Sequence, residues 1–513
     1  MMGIQLSRLA LCALVSLPVV LHAQQTGTTT NAAVPMALSL DEALRLAAGS
    51  SESITLARAG EQRARGQVAQ ARAAMLPQIG STLNWQKQLE NQFAAISKRA
   101  SNGSSSGTGT KDTTSSTGGA ASSITRIFAS EYNFNLGLTA SQPLFNGGRV
   151  AAGIKAARAG RESAEIGITS AQAQVMLDVT QAYYDALLSD RLLTIADSTI
   201  VQAERTLRQV QLTRSVGSAS EFELIRARVT RDNQRPGWLQ ARTTRDLAYV
   251  RLRQLLNLAD DRAVTLSDSI AESALPTAAA PDAPVTSVNV AAATVLMLDP
   301  AVQARVARTL AAFDTASARR APVRQALKGI EVAQLQLKAV RAQRLPSIAA
   351  TSSYQRLAYP TNILPKSLGD FFPNWSVGIG LSFPLFGGGR LEGEILAAQA
   401  SVIEAQQRLK LAQEGAALDA RATSAKLMEA EAAWQASVGT AEQAQRAYEI
   451  AEVRFREGIS TQLELSETRV QLQQALANRA RAARDLQVAR KRIELLRDLP
   501  LSSGPTPSTG FNS

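Results

Sequence analysis

QPLFNGGR at residues 142–149 and FPLFGGGR at residues 383–390 stand 241 positions apart, and their recurrence organises the chain. Working outward, SVGSASEFEL at 215–224 and REGISTQLEL at 456–465 repeat with the same offset, Gly217 to Gly458. MLPQIG at 75–80 and RLPSIA at 344–349 form a third pair, offset by 269, because the first copy carries extra sequence. Part of that extra is SNGSSSGTGTKDTTSSTGGAASS, 101–123, too polar to pack and read as a loop. Self-similarity at a fixed offset predicts a tandem duplication with units of about 240 residues.

Each unit has one order of parts. A helix ends at Leu76-Pro77 or Leu345-Pro346, where proline cannot continue it. Two strand-like stretches come next. Tyr132, Phe134, Leu136 and Leu138 alternate with Asn133, Asn135, Gly137 and Thr139. Trp375, Val377, Ile379, Leu381 and Phe383 alternate with Asn374, Ser376, Gly378, Gly380 and Ser382. This period of two, with one apolar face, predicts strands. Ile79, Leu83, Trp85 and Leu89 fit one face of a partner strand, and a weaker pattern lies around Ile348 to Tyr354. At Pro143 and Pro384 the strands meet the repeated turn, where Gly147-Gly148 and Gly387-Gly388 let the backbone bend into a helix. Proline-free, alanine-rich stretches at about 147–214 and 389–456 predict helices of roughly 100 Å. Gly217 and Gly458 then turn each helix back into a second one, ending near 258 and 498. Short stretches such as Ile200, Ala203, Leu207 and Val210, or Leu486, Ala489, Ile493 and Leu496, have coiled-coil spacing. The expected division is 1–23 leader, 24–258 first repeat, 259–320 linker and equatorial region, 321–498 second repeat and 499–513 disordered tail.

Composition excludes much chemistry. The 513 residues include one cysteine and one histidine, Cys12 and His22. Both fall in a basic-then-apolar start with a plausible cleavage after Ala23, the pattern of a secretory signal peptide. The exported chain then lacks thiol and imidazole chemistry, so disulfides, zinc sites and catalytic triads are not expected. No cofactor or metal is implied, and an enzyme is a distant reading, because Asp and Glu alone remain as acid–base groups. The net charge of +12 comes mostly from arginines spread among acids along helical faces, without the dense basic run of a nucleic-acid site. The 89 alanines suit helices packed at close range.

The strands point to a membrane. Of 23 aromatic residues, 13 fall within 77–146 and 346–386, about a fifth of the chain, as in the girdles of an outer-membrane barrel. The opposite strand face is Asn, Ser, Thr and Gly, suited to a wet lumen. Four strands cannot cross a bilayer alone, because their edges would leave backbone groups unsatisfied in hydrocarbon. At least two chains are needed, since barrels have about eight strands or more. Residues alone leave dimer, trimer and tetramer open.

In its doubled order of parts the chain resembles the TolC family of outer-membrane efflux and secretion channels, over about 39–498. The resemblance implies an α+β membrane protein: a homotrimer whose twelve strands close one barrel in the outer membrane of a Gram-negative bacterium. A coiled-coil α-helical barrel would continue into the periplasm. It further implies hairpin tips that dock a periplasmic adaptor and an inner-membrane transporter, which would supply the energy. No GxxxxGK[ST] segment is present. The family's Asn-Pro after the first helix is replaced by AAGSSES, 47–53. A structural trimeric coiled-coil protein of the periplasm or surface is the competing function.

In that family, acids six and nine positions beyond the tip glycine narrow the tunnel entrance. Counted from Gly458 these are Glu464 and Glu467; from Gly217 they are Glu223 and Arg226. Glu464 and Glu467 share a helix face, and a trimer would turn each into a carboxylate ring that attracts cations. Ser220-x-x-Glu223 and Thr461-x-x-Glu464 also fit capping boxes, so these two acids either cap helices or line the lumen. Glu467 has no capping role and is the first choice for a constriction residue, with Arg226 as a partner across a closed entrance. Phe455 and Ser460 occupy the places of a tyrosine and an arginine that lock the entrance in some family members.

Overall fold

The computed structural model describes residues 36–89, 132–218, 220–259, 263–268, 300–313, 316–360 and 371–501. The leader, the 101–123 insert, most of the linker and nearly all of the tail lie outside the described residues. In chain order the elements are β1 (Met36–Leu38), α1 (Leu40–Ser50), α2 (Glu52–Ala73), β2 (Gln78–Lys87), β3 (Tyr132–Phe145), α3 (Arg149–Ser215) and α4 (Glu221–Leu255). They continue with β4 (Val264–Leu266), α5 (Pro300–Ala312), α6 (Ala321–Arg341), β5 (Ser347–Ala358), β6 (Phe371–Ser382), α7 (Arg390–Arg456) and α8 (Gln462–Leu495).

The duplication expected from sequence has a counterpart in the element bounds. Helices α3 and α7 are each 67 residues long, and both of their ends differ by 241. At ~1.5 Å per residue each spans roughly 100 Å. Alanines recur among the larger side chains of the buried face: Ala152, Ala156, Ala159, Ala173, Ala182, Ala186 and Ala203 are all buried along α3, which lets neighbouring helices approach closely there. No described helix is long and apolar enough to cross a membrane.

The strands form one antiparallel sheet in the order β2-β3-β5-β6, so the two units meet at the β3–β5 pair. Register decides the faces, because cross-strand partners project to the same side. Leu83 opposes Leu136, Trp85 opposes Phe134, Leu138 opposes Tyr354, and Tyr354 opposes Trp375. Asn84 opposes Asn135, Thr139 opposes Ser353, and Ser353 opposes Ser376 on the other side. The sheet is therefore apolar on one face and polar on the other, and Ile79, Leu83, Val377 and Ile379 are 73–77% exposed. Two cations interrupt the apolar face: Lys87, in register with Tyr132 and lying over its ring, and Arg356, whose Nε donates to the Tyr354 hydroxyl at 3.0 Å. The weakly patterned stretch around Ile348 to Tyr354 proves a full strand of 12 residues, whereas Leu89 lies beyond the end of β2.

One expectation is corrected. The left-handed glycines in the second turn are Gly388 (φ 60°) and Gly389 (φ 81°), not Gly387 and Gly388. They match Gly147 (φ 62°) and Gly148 (φ 82°) at the common offset; the third glycine of FPLFGGGR had masked the register. The 259–320 stretch, read as linker and equatorial region, holds structured elements. It contributes β4, which pairs in parallel with β1, and α5, whose Val302 and Val306 pack on Leu427, Leu486 and Ile493. The first helix, in turn, is two helices broken at Ser51, despite the absent Asn-Pro.

Near these elements charges are buried in matched sets. Arg320 is fully buried; its Nε donates to the Leu496 carbonyl at 3.0 Å and its Nη2 lies 2.7 Å from the Asp419 carboxylate. Glu431 accepts from Arg305 at 2.7 Å and from Arg490 at 2.9 Å.

The glycine geometry makes a graded prediction. A Cβ at Gly147 would meet the Ala342 carbonyl oxygen and Leu345 Cβ at 2.8 Å, whereas nothing lies within 4 Å at Gly148, Gly389 or Gly387. Gly147→Ala should therefore lower the thermal midpoint most. Gly148→Ala and Gly389→Ala should cost about 1 kcal/mol each from backbone strain, and Gly387→Ala should be near wild type by circular dichroism.

Candidate functional site

The hairpin tips are built identically by backbone chemistry. At the first, the Gly217 N–H donates to Arg214 C=O and the Ser218 N–H to Thr213 C=O, both at 2.9 Å. At the second, Gly458 donates to Phe455 at 3.1 Å and Ile459 to Arg454 at 2.9 Å. This is the Schellman closure, which requires a left-handed residue at the glycine position; φ is 79° at Gly217 and 75° at Gly458. Each returning helix then restarts on a hydroxyl cap. Ser220 Oγ accepts from the Glu223 N–H at 3.2 Å, and Thr461 Oγ1 from the Glu464 N–H at 3.3 Å.

The four charged candidates separate on this frame. Glu223 completes a reciprocal capping box, its Oε2 accepting from the Ser220 N–H at 3.2 Å. Glu464 does not complete one. Its carboxylate instead accepts from Ser460 Oγ at 2.7 Å and pairs with Arg454 at 3.3 Å, which ties it across the tip. Glu467 is exposed and makes no hydrogen bond or ion pair with a described residue. Arg226 is half-buried, and within one protomer it does not pair with Glu467. The first tip has its own clasp, Arg214 to Glu221.

Residues 43–258 and 286–496 match the family described as outer membrane efflux protein. The chain belongs to the outer membrane efflux protein family. It is a TolC-like protein of the outer membrane. The fold agrees with solved structures at low sequence identity. VceC, the outer membrane protein of Vibrio cholerae, is 17% identical, with a TM-score of 0.63 over 89% of this chain and 95% of that one. The Campylobacter jejuni CmeC outer membrane channel is 15% identical, with a TM-score of 0.64 over 91% and 87%. The open state of the Neisseria gonorrhoeae MtrE outer membrane channel is 17% identical, with a TM-score of 0.63 over 90% and 89%. Among curated protein sequences none matches.

Within this efflux-family fold, the tip has two features that motif counting missed. Phe455 packs against both hairpin cores: Leu207, Val210, Leu224 and Ala227 on one side, Tyr448, Ala451, Leu465 and Leu472 on the other. It thus joins the hairpins by packing rather than by a hydrogen-bonded lock. Arg469, two residues beyond Glu467, is only 5% exposed. An arginine on a charged helix gives no sequence signal of burial. Its equivalent in the first unit, Arg228, is exposed.

The capping difference can be measured. Ser220→Ala removes one half of a closed box and should cost about 1 kcal/mol of local stability, seen as faster amide exchange at the α4 start. Glu467→Ala, which breaks no bond, should leave exchange at the α8 start unchanged.

Proposed function

We propose that three copies of the chain close a twelve-stranded barrel and serve as the passive exit duct of a tripartite efflux or type I secretion assembly. One observation carries this reading: a four-stranded, two-faced sheet with open edges at β2 and β6 runs through left-handed glycine pairs into helices of roughly 100 Å. Such a sheet is satisfied in hydrocarbon only when β6 of one copy pairs with β2 of the next. The apolar face then meets lipid and the polar face lines water. The helices are also incomplete alone. Leu396, Ile403, Leu411 and Leu418 recur every seven or eight residues along α7 and are 57–70% exposed, the spacing of a face that packs on another helix. The alternating units read as an internal duplication, which supplies two hairpins per chain to the tunnel. A purely structural coiled-coil stalk has no use for the two-faced sheet.

In this duct the tips form the periplasmic entrance and dock the adaptor and inner-membrane transporter, with Gly217 and Gly458 setting the turns. Glu467 carries the constriction, because it alone of the tip acids leaves its carboxylate uncommitted. Glu464 contributes charge from a tethered position, Glu223 serves its helix, and Arg226 stands at the equivalent position of the first hairpin. Three Glu467 carboxylates around a narrow opening attract cations and raise the barrier to anions.

In planar bilayers the wild-type oligomer should give discrete, cation-selective conductance. Glu467→Ala should raise single-channel conductance and weaken that selectivity, while Glu223→Ala should change it little. Unaltered conductance and selectivity in Glu467→Ala would remove the constriction role; absence of any channel activity would remove the duct reading itself.

A further inference from the structure

Arg469 is an anomaly among the charges of this chain. Arg320 is buried with a carboxylate and backbone carbonyls around it, and Glu431 is buried between two arginines. Arg469 is buried to the same degree, yet among the described residues no carboxylate, carbonyl or hydroxyl accepts from its guanidinium, and its Nε is enclosed without a partner. Burial holds its pKa below the ordinary arginine value, and the group that acts on it electrostatically is the Tyr448 phenol, itself pushed up by burial. An uncompensated charge in a low-dielectric seam is costly to keep.

The surroundings specify what would satisfy it. A groove of about 100 Å³ runs along the seam between α3 and α8, lined by Arg191, Ser198, Gln202, Arg469, Leu472 and Gln473 among others. No acidic residue lines it. Around Arg469 the side-chain amides of Gln202 and Gln473 supply further donors, and the Ser198 hydroxyl is already given to the Thr194 carbonyl. Toward the tip, the neighbouring cavity of about 10 Å³ has room for about one water and no more. Arg469 is 5% exposed and lines this groove, whose volume of about 100 Å³ suits a small ion rather than a large side chain.

We propose that this seam is a binding site for a small oxyanion, a phosphate or carboxylate, held by Arg469 with Gln202 and Gln473. Because α3 belongs to the first hairpin and α8 to the second, the bound anion ties the two hairpins together close to their tips. Guanidinium recognition of an oxyanion is charge-assisted and geometrically demanding. The site is independent of the cation-attracting entrance at Glu467 and does not rest on the chain being a duct.

The test is a titration of purified full-length protein in detergent with inorganic phosphate, exchanged for chloride at constant pH and ionic strength. The readout is the midpoint of helix loss by circular dichroism. The wild type should show a saturating rise. Arg469→Gln should lose that rise. Gln473→Glu places a carboxylate one helical turn from Arg469; it should raise the midpoint without phosphate and abolish the phosphate response. A flat wild-type titration would overturn the proposal. So would an equal rise in all three proteins, which is the general salting effect of phosphate. If Arg469→Gln does not fold, the comparison of wild type with Gln473→Glu decides: a wild-type-like response in Gln473→Glu overturns the site.

Discussion

An open strand edge presents a row of N–H and C=O groups, and hydrocarbon offers them nothing to bond. The four-stranded sheet has two such edges, on β2 and β6. Most of the rest of the molecule can be read as a consequence. Among the described residues nothing covers the apolar face of Ile79, Leu83, Trp375, Val377 and Ile379, and the polar face of Asn, Ser and Thr enters no core. In the proposed barrel both faces are satisfied, with lipid outside and water within. Such closure would in turn fix where the helices start. Each must leave its strand at the rim through a sharp bend, and left-handed glycines supply that bend twice.

The doubling is put to unequal use. Glu431 in the second unit and Asp190 in the first stand 241 apart, yet Glu431 is buried between Arg305 and Arg490 while Asp190 is half-exposed beside Arg245 and Tyr249. Glu223 and Glu464 are equivalent, yet one closes a capping box and the other ties Ser460 to Arg454. Arg228 and Arg469 are equivalent, yet one meets solvent and the other is enclosed. The cause is position: α8 lies against both α3 and α7, whereas α4 packs chiefly on α3. The second hairpin buries Asp419, Glu431 and Arg469, whereas the charges buried elsewhere are Glu61 on α2 and Arg320 before α6.

Backbone-determined features were legible in the residues, because they depend on local chemistry. Pro77 and Pro346 end helices, Gly217 and Gly458 close Schellman turns, and Ser220 and Thr461 cap the returning helices. Period-two alternation placed β3 and β6 well. The β5 strand was harder, since Ser352 and Ala350 give its apolar face little contrast; its register comes from β3 and β6 on either side. The third glycine of FPLFGGGR hid the true register of the second bend. Tertiary facts left no local mark at all: the burial of Arg469 and Arg320, the pairing of β4 with β1, and the position of Phe455 between two cores each depend on elements far apart in sequence.

The central claim is that the chain is a third of a barrel. Native mass spectrometry of the protein extracted in mild detergent, with and without heating, addresses it most directly. A species of three times the protomer mass that dissociates only on heating is the expected result. A stable folded monomer with its sheet intact would contradict the account, because its strand edges would then be satisfied in some other way.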